Sequence, residues 1–309
     1  MSHPSLLLFI EQCLNGVQFG IMLFLITAGL TLIVGIMNFV NLAQGSLFMV
    51  GAFVAGWVAT KTGNYYLAIP VAIVATAIVG AAMEMFTLSR FYNRQHLDQV
   101  LATFGFVMII NEAARMLWGS QGLSVSLPPE LNRAVELLPG LTYPLFRLVF
   151  IMFGLAVALF LYVLVTRTRV GMLIRAGASD RDMVRGLGVN IGLLFTFIFC
   201  LGAALAGLAG SLSAPIMSAS VGMGEPVLIL GLVVIVLGGI GSIRGAFLAA
   251  LLVGLIDTLG RSYATDLVSL IFGGKAAASL GPSLAGMAIY ILMAVVLAVR
   301  PEGLFTKRA

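Results

Sequence analysis

Of the 309 residues, 61% are hydrophobic and only 9% are charged, against about 25% charged residues in a water-soluble domain. The net charge of +5 is carried by short loops, with no basic face of the kind that holds nucleic acid. The apolar residues recur in runs of about twenty, the length that crosses a bilayer, which excludes a soluble enzyme or binding module and predicts an all-α polytopic membrane protein.

The first predicted span is about Val17 to Ile36, retained as a first helix because no basic leader or cleavage site precedes it. A short polar break with Asn38, Asn41, Gln44 and Gly45 leads to a second span, Leu42 to Ala59. Tyr66 to Phe86 is the third, and the polar segment Ser89 to Gln99 behind it carries Arg90 and Arg94. The fourth, Val100 to Trp118, contains Asn111, Glu112 and Arg115. Gly119 to Tyr143, with Pro128, Pro129 and Pro139, reads as a long external loop with room for a short surface helix. Phe146 to Val165 is the fifth span, and residues 167–190 form the chief hydrophilic stretch, basic in sign.

The sixth span, Ile191 to Leu212, is followed by a soft loop through Pro215 and Gly222. From Val227 the chain stays apolar to about Leu259, too long for one upright helix, and Gly238, Gly239, Gly241, Ser242 and Gly245 break it into a seventh and an eighth segment. Ser283 to Val299 is the last span, closed by Pro301 and a basic tail of Lys307 and Arg308. With residues 167–190 in the cytoplasm, a nine-segment count also puts Arg90, Arg94, Arg300, Lys307 and Arg308 there, as the positive-inside rule requires. An eight-span count changes which end is where. Gln44 to Phe53 and Gly241 to Phe247 echo one another at two breaks, as in transporters built from repeats with discontinuous helices, although Gly and Ala abundance alone also yields such an echo.

No catalytic constellation is visible. The P-loop pattern Gly-x-x-x-x-Gly-Lys-Ser/Thr, the zinc pattern His-Glu-x-x-His and the nucleophile pattern Gly-x-Ser-x-Gly do not occur. Cys13, Cys200, His3 and His96 have no disulfide or metal-ligand spacing. Glu84 sits near the end of its span and reads as a side chain that snorkels; Glu112 with Arg115, and Asp257 with Arg261, read as local ion pairs; Arg244 reads as facing cytoplasm or a subunit. Asn38, Asn41, Gln44 and Gly45 are candidates for a translocation path, since amides exchange hydrogen bonds with a polar solute more cheaply than charges do. The same amides can instead satisfy each other at a turn. In Arg175 to Asn190, Ser179 or Asp180 can cap a short helix ending at Gly188, with Met183 and Leu187 on one face. That is either a solvated loop or a knob for a partner's groove.

Three groups of residues, in order and spacing, carry a specific resemblance. They are Leu14-Asn15-Gly16, Ala28-Gly29-Leu30-Thr31, Gly35 to Phe39 and Leu42 to Gly45; Arg175-Ala176 through Asn190 and Leu205 to Gly210; and Gly238 to Ser242 with Pro301-Glu302-Gly303-Leu304-Phe305. Over nearly its whole length the chain resembles the permeases of ATP-driven importers for branched-chain amino acids, whose relatives also carry urea and short amides. The resemblance implies one permease domain over 1–309, with eight to nine transmembrane segments, discontinuous helices and the cytoplasmic coupling loop 167–190. It implies a bacterial cytoplasmic (inner) membrane location and half of a path completed by a second, homologous permease. Two cytoplasmic P-loop ATPase subunits would bind ATP, leaving this chain with no cofactor and no ATPase site of its own. An extracytoplasmic solute-binding protein would deliver the amino acid. Arg175, Asp180, Met183, Leu187 and Gly188 would contact an ATPase. The chain departs from the family at Gln44, where His is common, and at Val184 and Gly186. Two other classes compete: an ion-coupled secondary transporter, for which the spans hold few acids, and a non-transporting scaffold.

Overall fold

The computed structural model describes residues 3–92, 94–272, 274–300 and 303–304, with side chains described except at 3–5, 181–182 and 270–279. Helix α1 (His3–Leu32) runs into a π-helical turn, Ile33–Met37, which Asn38 closes in the left-handed region at φ +48°. α2 (Gln44–Thr62) and α3 (Tyr65–Phe86) follow, and the Asn64 side chain caps α3 by accepting from the N–H groups of Tyr66 and Leu67. α4 (His96–Trp118) leads to a hairpin of β1 (Ala134–Leu138) and β2 (Leu141–Pro144), then to α5 (Leu145–Arg167). After the short α6 (Arg169–Ser179) and α7 (Arg181–Gly186) come α8 (Ile191–Met217), α9 (Gly224–Gly238), α10 (Ile243–Phe272) and α11 (Gly274–Val299). Among the described residues seven helices are long and apolar enough to cross a membrane. The shorter α2, at 19 residues, and α9, at 15, stand where the sequence places two further segments of its eight to nine.

Small residues decide how the helices meet, because lipid supplies no hydrophobic drive and close backbone approach must hold the bundle. A Cβ on Gly16 would lie 3.0 Å from Leu255 Cα, and one on Gly20 would lie 2.8 Å from the Ala250 carbonyl oxygen. α1 and α10 therefore run antiparallel along a glycine seam, which Phe24 and Phe247 continue edge to face at 5.1 Å. α8 is the central post: Gly202 meets Gly29 of α1, Gly207 meets Gly51 of α2 and Thr76 of α3, and Ala203 meets Gly80 of α3.

Two helices begin inside this bundle rather than at its ends. Gln44, the first residue of α2, touches Gly29, and Leu42 packs beside Leu30 and Leu228. Residues 38–43 thus fold back along α1 by about 12 Å from the end of its π turn. α9 starts at the same depth, since Gly224 abuts Gly45. From that junction α2 runs outward until Gly56 meets Val125 and Leu123, while α9 runs the other way until Gly238 meets Gly245. The N-termini of two oppositely directed helices therefore face each other in the interior.

The basic regions share one end. Phe39, Tyr92 and Phe195 pack edge to face at 5.7 and 5.3 Å, and Gln99 Oε1 accepts from the Val40 N–H at 3.4 Å, joining the loop of Arg90 and Arg94 to the break and to α8. The Leu304 N–H donates to the Leu237 carbonyl at 2.8 Å and closes the end of α9. Pro301, Glu302, Phe305, Lys307 and Arg308 lie outside the described residues.

Several sequence expectations change. The first helix starts at His3, not near Val17, because its polar Asn15 is held by Tyr143 and Arg147. The segment read as a loop from Gly119 to Tyr143 is irregular over 119–133 and then forms a hairpin, with no surface helix among the described residues. Pro139-Gly140, with Gly140 at φ +88°, turns the chain so that Ala134 pairs with Pro144 and Val135 with Tyr143. α8 continues through Pro215 to Met217, and the interior break that matches 38–43 lies at 218–223. The glycines at 238–245 make only a tight turn, with Gly239 at φ +89° and Gly241 at φ +81°.

Candidate translocation path and coupling surface

At the helix junction, Gln44 is fully buried and its Nε2 donates to the Gly202 carbonyl at 2.8 Å. Asn41, equally buried, accepts from the Ala43 N–H at 3.0 Å and reaches Gln44 Oε1 at 3.5 Å. The fold thus brings Asn41, Gln44 and Gly45 together and ties α2 to α8 through them. Asn38 stands apart, exposed at the closed end of the π turn. Sequence reasoning gave no role to Ser46 and Thr31, whose buried hydroxyls find no hydrogen-bond partner among the described residues. The signal available was a hydroxyl in an apolar run beside a helix break, which is weak because such hydroxyls usually return to their own helix.

The coupling candidates lie at the basic end. Asp180 Oδ1 accepts from the Met183 N–H at 3.0 Å and caps α7, and Gly188 takes φ +83° just past its end. Val184 is turned inward, while Met183 and Leu187 are 63% and 79% exposed, so α7 presents an apolar pair left uncovered among the described residues. Arg175 sits on α6 and donates to the Val165 carbonyl, which fixes α6 against α5. Ser242 Oγ accepts from the Gly245 N–H at 3.1 Å, starting α10 beside the Gly238–Gly245 contact, and Gly241 lies against Gly35 of the π turn.

Glu84 does not snorkel. It is 2% exposed, and its carboxylate accepts from the Tyr92 hydroxyl and, at 2.7 Å, from Thr196 Oγ1, linking α3 to α8. Burial first, and the Glu84 carboxylate second, push the Tyr92 phenol far above its ordinary value, so it remains a donor. Glu112 and Arg115 pair at 3.6 Å on an exposed face of α4. Arg244 reaches the Tyr162 hydroxyl at 2.6 Å, with its guanidinium 4.8 Å from the ring centre.

The family model described as branched-chain amino acid transport system / permease component matches residues 12–297. The chain is 26% identical over 277 residues to the high-affinity branched-chain amino acid transport system permease protein BraD of Pseudomonas aeruginosa, covering 85% of this chain and 90% of that one. It is 27% identical over 283 residues to the permease protein LivH of Escherichia coli K12, covering 83% and 87%. A probable LivH of Methanocaldococcus jannaschii is 26% identical over 257 residues, covering 81% and 80%. No solved structure matches. The chain is a multi-pass transport protein of the cytoplasmic membrane and belongs to the family of branched-chain amino acid transport system permease components.

Proposed function

We propose that the chain is the transmembrane subunit of an ATP-driven importer for branched-chain or related hydrophobic amino acids. It forms half of the path, and a second homologous permease forms the other half. The observation that carries the reading is α7: a capped helix at the basic end that leaves Met183 and Leu187 exposed among the described residues. Such a knob fits a groove on a cytoplasmic P-loop ATPase, two of which bind and hydrolyse ATP beneath the permeases while this chain has no ATPase site. Arg175 holds α6 against α5, so a push on α7 is delivered to α5 and α8 rather than lost in a loose loop.

The Asn41, Gln44 and Gly45 junction is where such a push changes access. Its two half-helices start at one depth, and the interhelical bond from Gln44 to Gly202 locks α2 to α8. Asn38, at the end of the π turn, is the exposed amide on the cytoplasmic side of that lock. An extracytoplasmic binding protein delivers solute at the opposite end, where the hairpin lies. A second reading, a permease for urea or short amides, is favoured by the uncharged amide pair itself. Co-purification of this chain with ATPases encoded beside its gene, and ATP-dependent accumulation of labelled leucine in vesicles, tests the proposal; uptake that persists without any ATPase overturns it.

A further inference from the structure

A second polar constellation begins one residue beyond the Gly45–Gly224 contact, in a cavity of about 370 Å³ between α9, α10 and α11. Its lining includes Glu225, Asp257, Arg261, Ile229, Ile289 and Tyr290. Asp257 is 5% exposed, and both of its oxygens accept from Arg261 Nε at 2.9 Å. That pairing aims the guanidinium while leaving its two terminal amino groups without a partner among the described residues. Glu225, in the first turn of α9, accepts from Asn111 Nδ2 through Oε1 at 2.8 Å, and its second oxygen has no partner among the described residues. The cavity therefore holds a guanidinium paired on one side with the Asp257 carboxylate and, apart from that pair, the second carboxylate of Glu225, with apolar side chains beside them.

These charges belong to membrane-spanning helices. Asp257 and Arg261 fall inside the span Ile243–Ser269, and α9 begins inside the bundle. Arg261 stands about 27 Å along α10 from its basic end, toward the outer end of the span, and its side chain is 63% exposed beside the buried Asp257, so this face of α9, α10 and α11 is turned to water or to protein rather than to lipid. If it only joined two subunits, a neutral surface or a closed ion pair would be cheaper than an Arg with two unengaged amino groups. We propose that the cavity is a transit subsite for the zwitterionic backbone of an α-amino acid. Arg261 takes the carboxylate through its terminal amino groups, Glu225 takes the ammonium, and Ile229 and Ile289 receive an aliphatic side chain. Asp257 is a positioning residue that holds Arg261 in place. The inference rests on the amino-acid reading above and sharpens it, because a neutral amide would use neither the guanidinium nor the Glu225 carboxylate.

The test is displacement of labelled leucine from the solubilised complex of both permeases and the ATPases, without binding protein. Leucinamide, which lacks the carboxylate, and 4-methylpentanoate, which lacks the ammonium, are the competing probes. Glu225→Gln should weaken leucine about tenfold or more while leaving 4-methylpentanoate unchanged, a selectivity that a merely structural role would not produce. Leucine affinity equal to wild type, or equal losses for both probes, overturns the subsite. Should Glu225→Gln fail to assemble, Arg261→Lys carries the test. It keeps the charge but loses the fork, so leucine should weaken and leucinamide should not; unchanged leucine binding overturns the proposal. A wild-type complex that takes urea or short amides and not leucine would instead remove the underlying amino-acid reading, before any variant is compared.

Discussion

Gly45→Ala tests the meeting of the two half-helices most sharply. A Cβ there would stand 2.9 Å from the Gly224 carbonyl carbon and 3.0 Å from Leu228 Cβ, both fixed groups of α9. The Gly224 carbonyl oxygen is closer still, and ordinary contact begins near 3.4 Å, so the two N-termini must part by more than about 0.5 Å. Overpacking of this kind costs about 1–3 kcal/mol. The Gln44 bond to Gly202, 2.8 Å long and one residue away, would also stretch, at a further cost of about 1 kcal/mol. The comparison is Gly105→Ala on α4, where a Cβ meets nothing within 4 Å and removal of glycine from a helix interior should stabilise by about 0.5–1 kcal/mol. Thermal unfolding in nanodiscs should therefore rank Gly105→Ala at or above wild type and Gly45→Ala clearly below it. Equal melting of the two variants would refute the close approach of α2 and α9.

Other outcomes follow from the same contacts. Gln44→Ala should unlock α2 from α8 and change the rate or selectivity of uptake in vesicles; unchanged transport across the accepted solutes would remove Gln44 from the path. Gly188→Val places a β-branched residue at φ +83°, which should impair complex assembly or substrate-stimulated ATP hydrolysis, and normal values of both would end the coupling role of α7. Tyr92→Phe removes a phenol whose folded form holds its proton more tightly than the unfolded chain does. Stability from that difference is complete below the unfolded value of about 10 and is lost as pH rises above it. Wild type should therefore lose stability more steeply than Tyr92→Phe above about pH 10, and parallel alkaline melting curves would contradict this.

Run length made the spans legible, because a bilayer demands about twenty apolar residues and the chain supplies them repeatedly. The break at Asn38 to Gln44 was legible too, since three amides in a short stretch are hard to place in a continuous lipid-facing helix. Its counterpart at 218–223 was not. Val221 to Pro226 reads as an ordinary loop, and only the contact of Gly224 with Gly45 shows that it descends into the bundle. Depth is a tertiary property that local sequence does not carry. Glu84 misled for a related reason: its position near a helix end suggested water, but Tyr92 and Thr196 arrive from other elements to satisfy it. The α7 cap was readable to within a residue, Ser179 or Asp180, because a cap acts on its immediate neighbours; the structure uses Asp180, and the helix ends at Gly186, two residues before Gly188.

The most direct test of the account is uptake by the reconstituted complex of this chain, its neighbouring permease, the ATPases and the binding protein, with labelled leucine and labelled urea in separate vesicle preparations. The account predicts leucine accumulation that requires ATP and is lost without the binding protein. Urea accumulation without leucine, or leucine entry that needs no ATP, would contradict it.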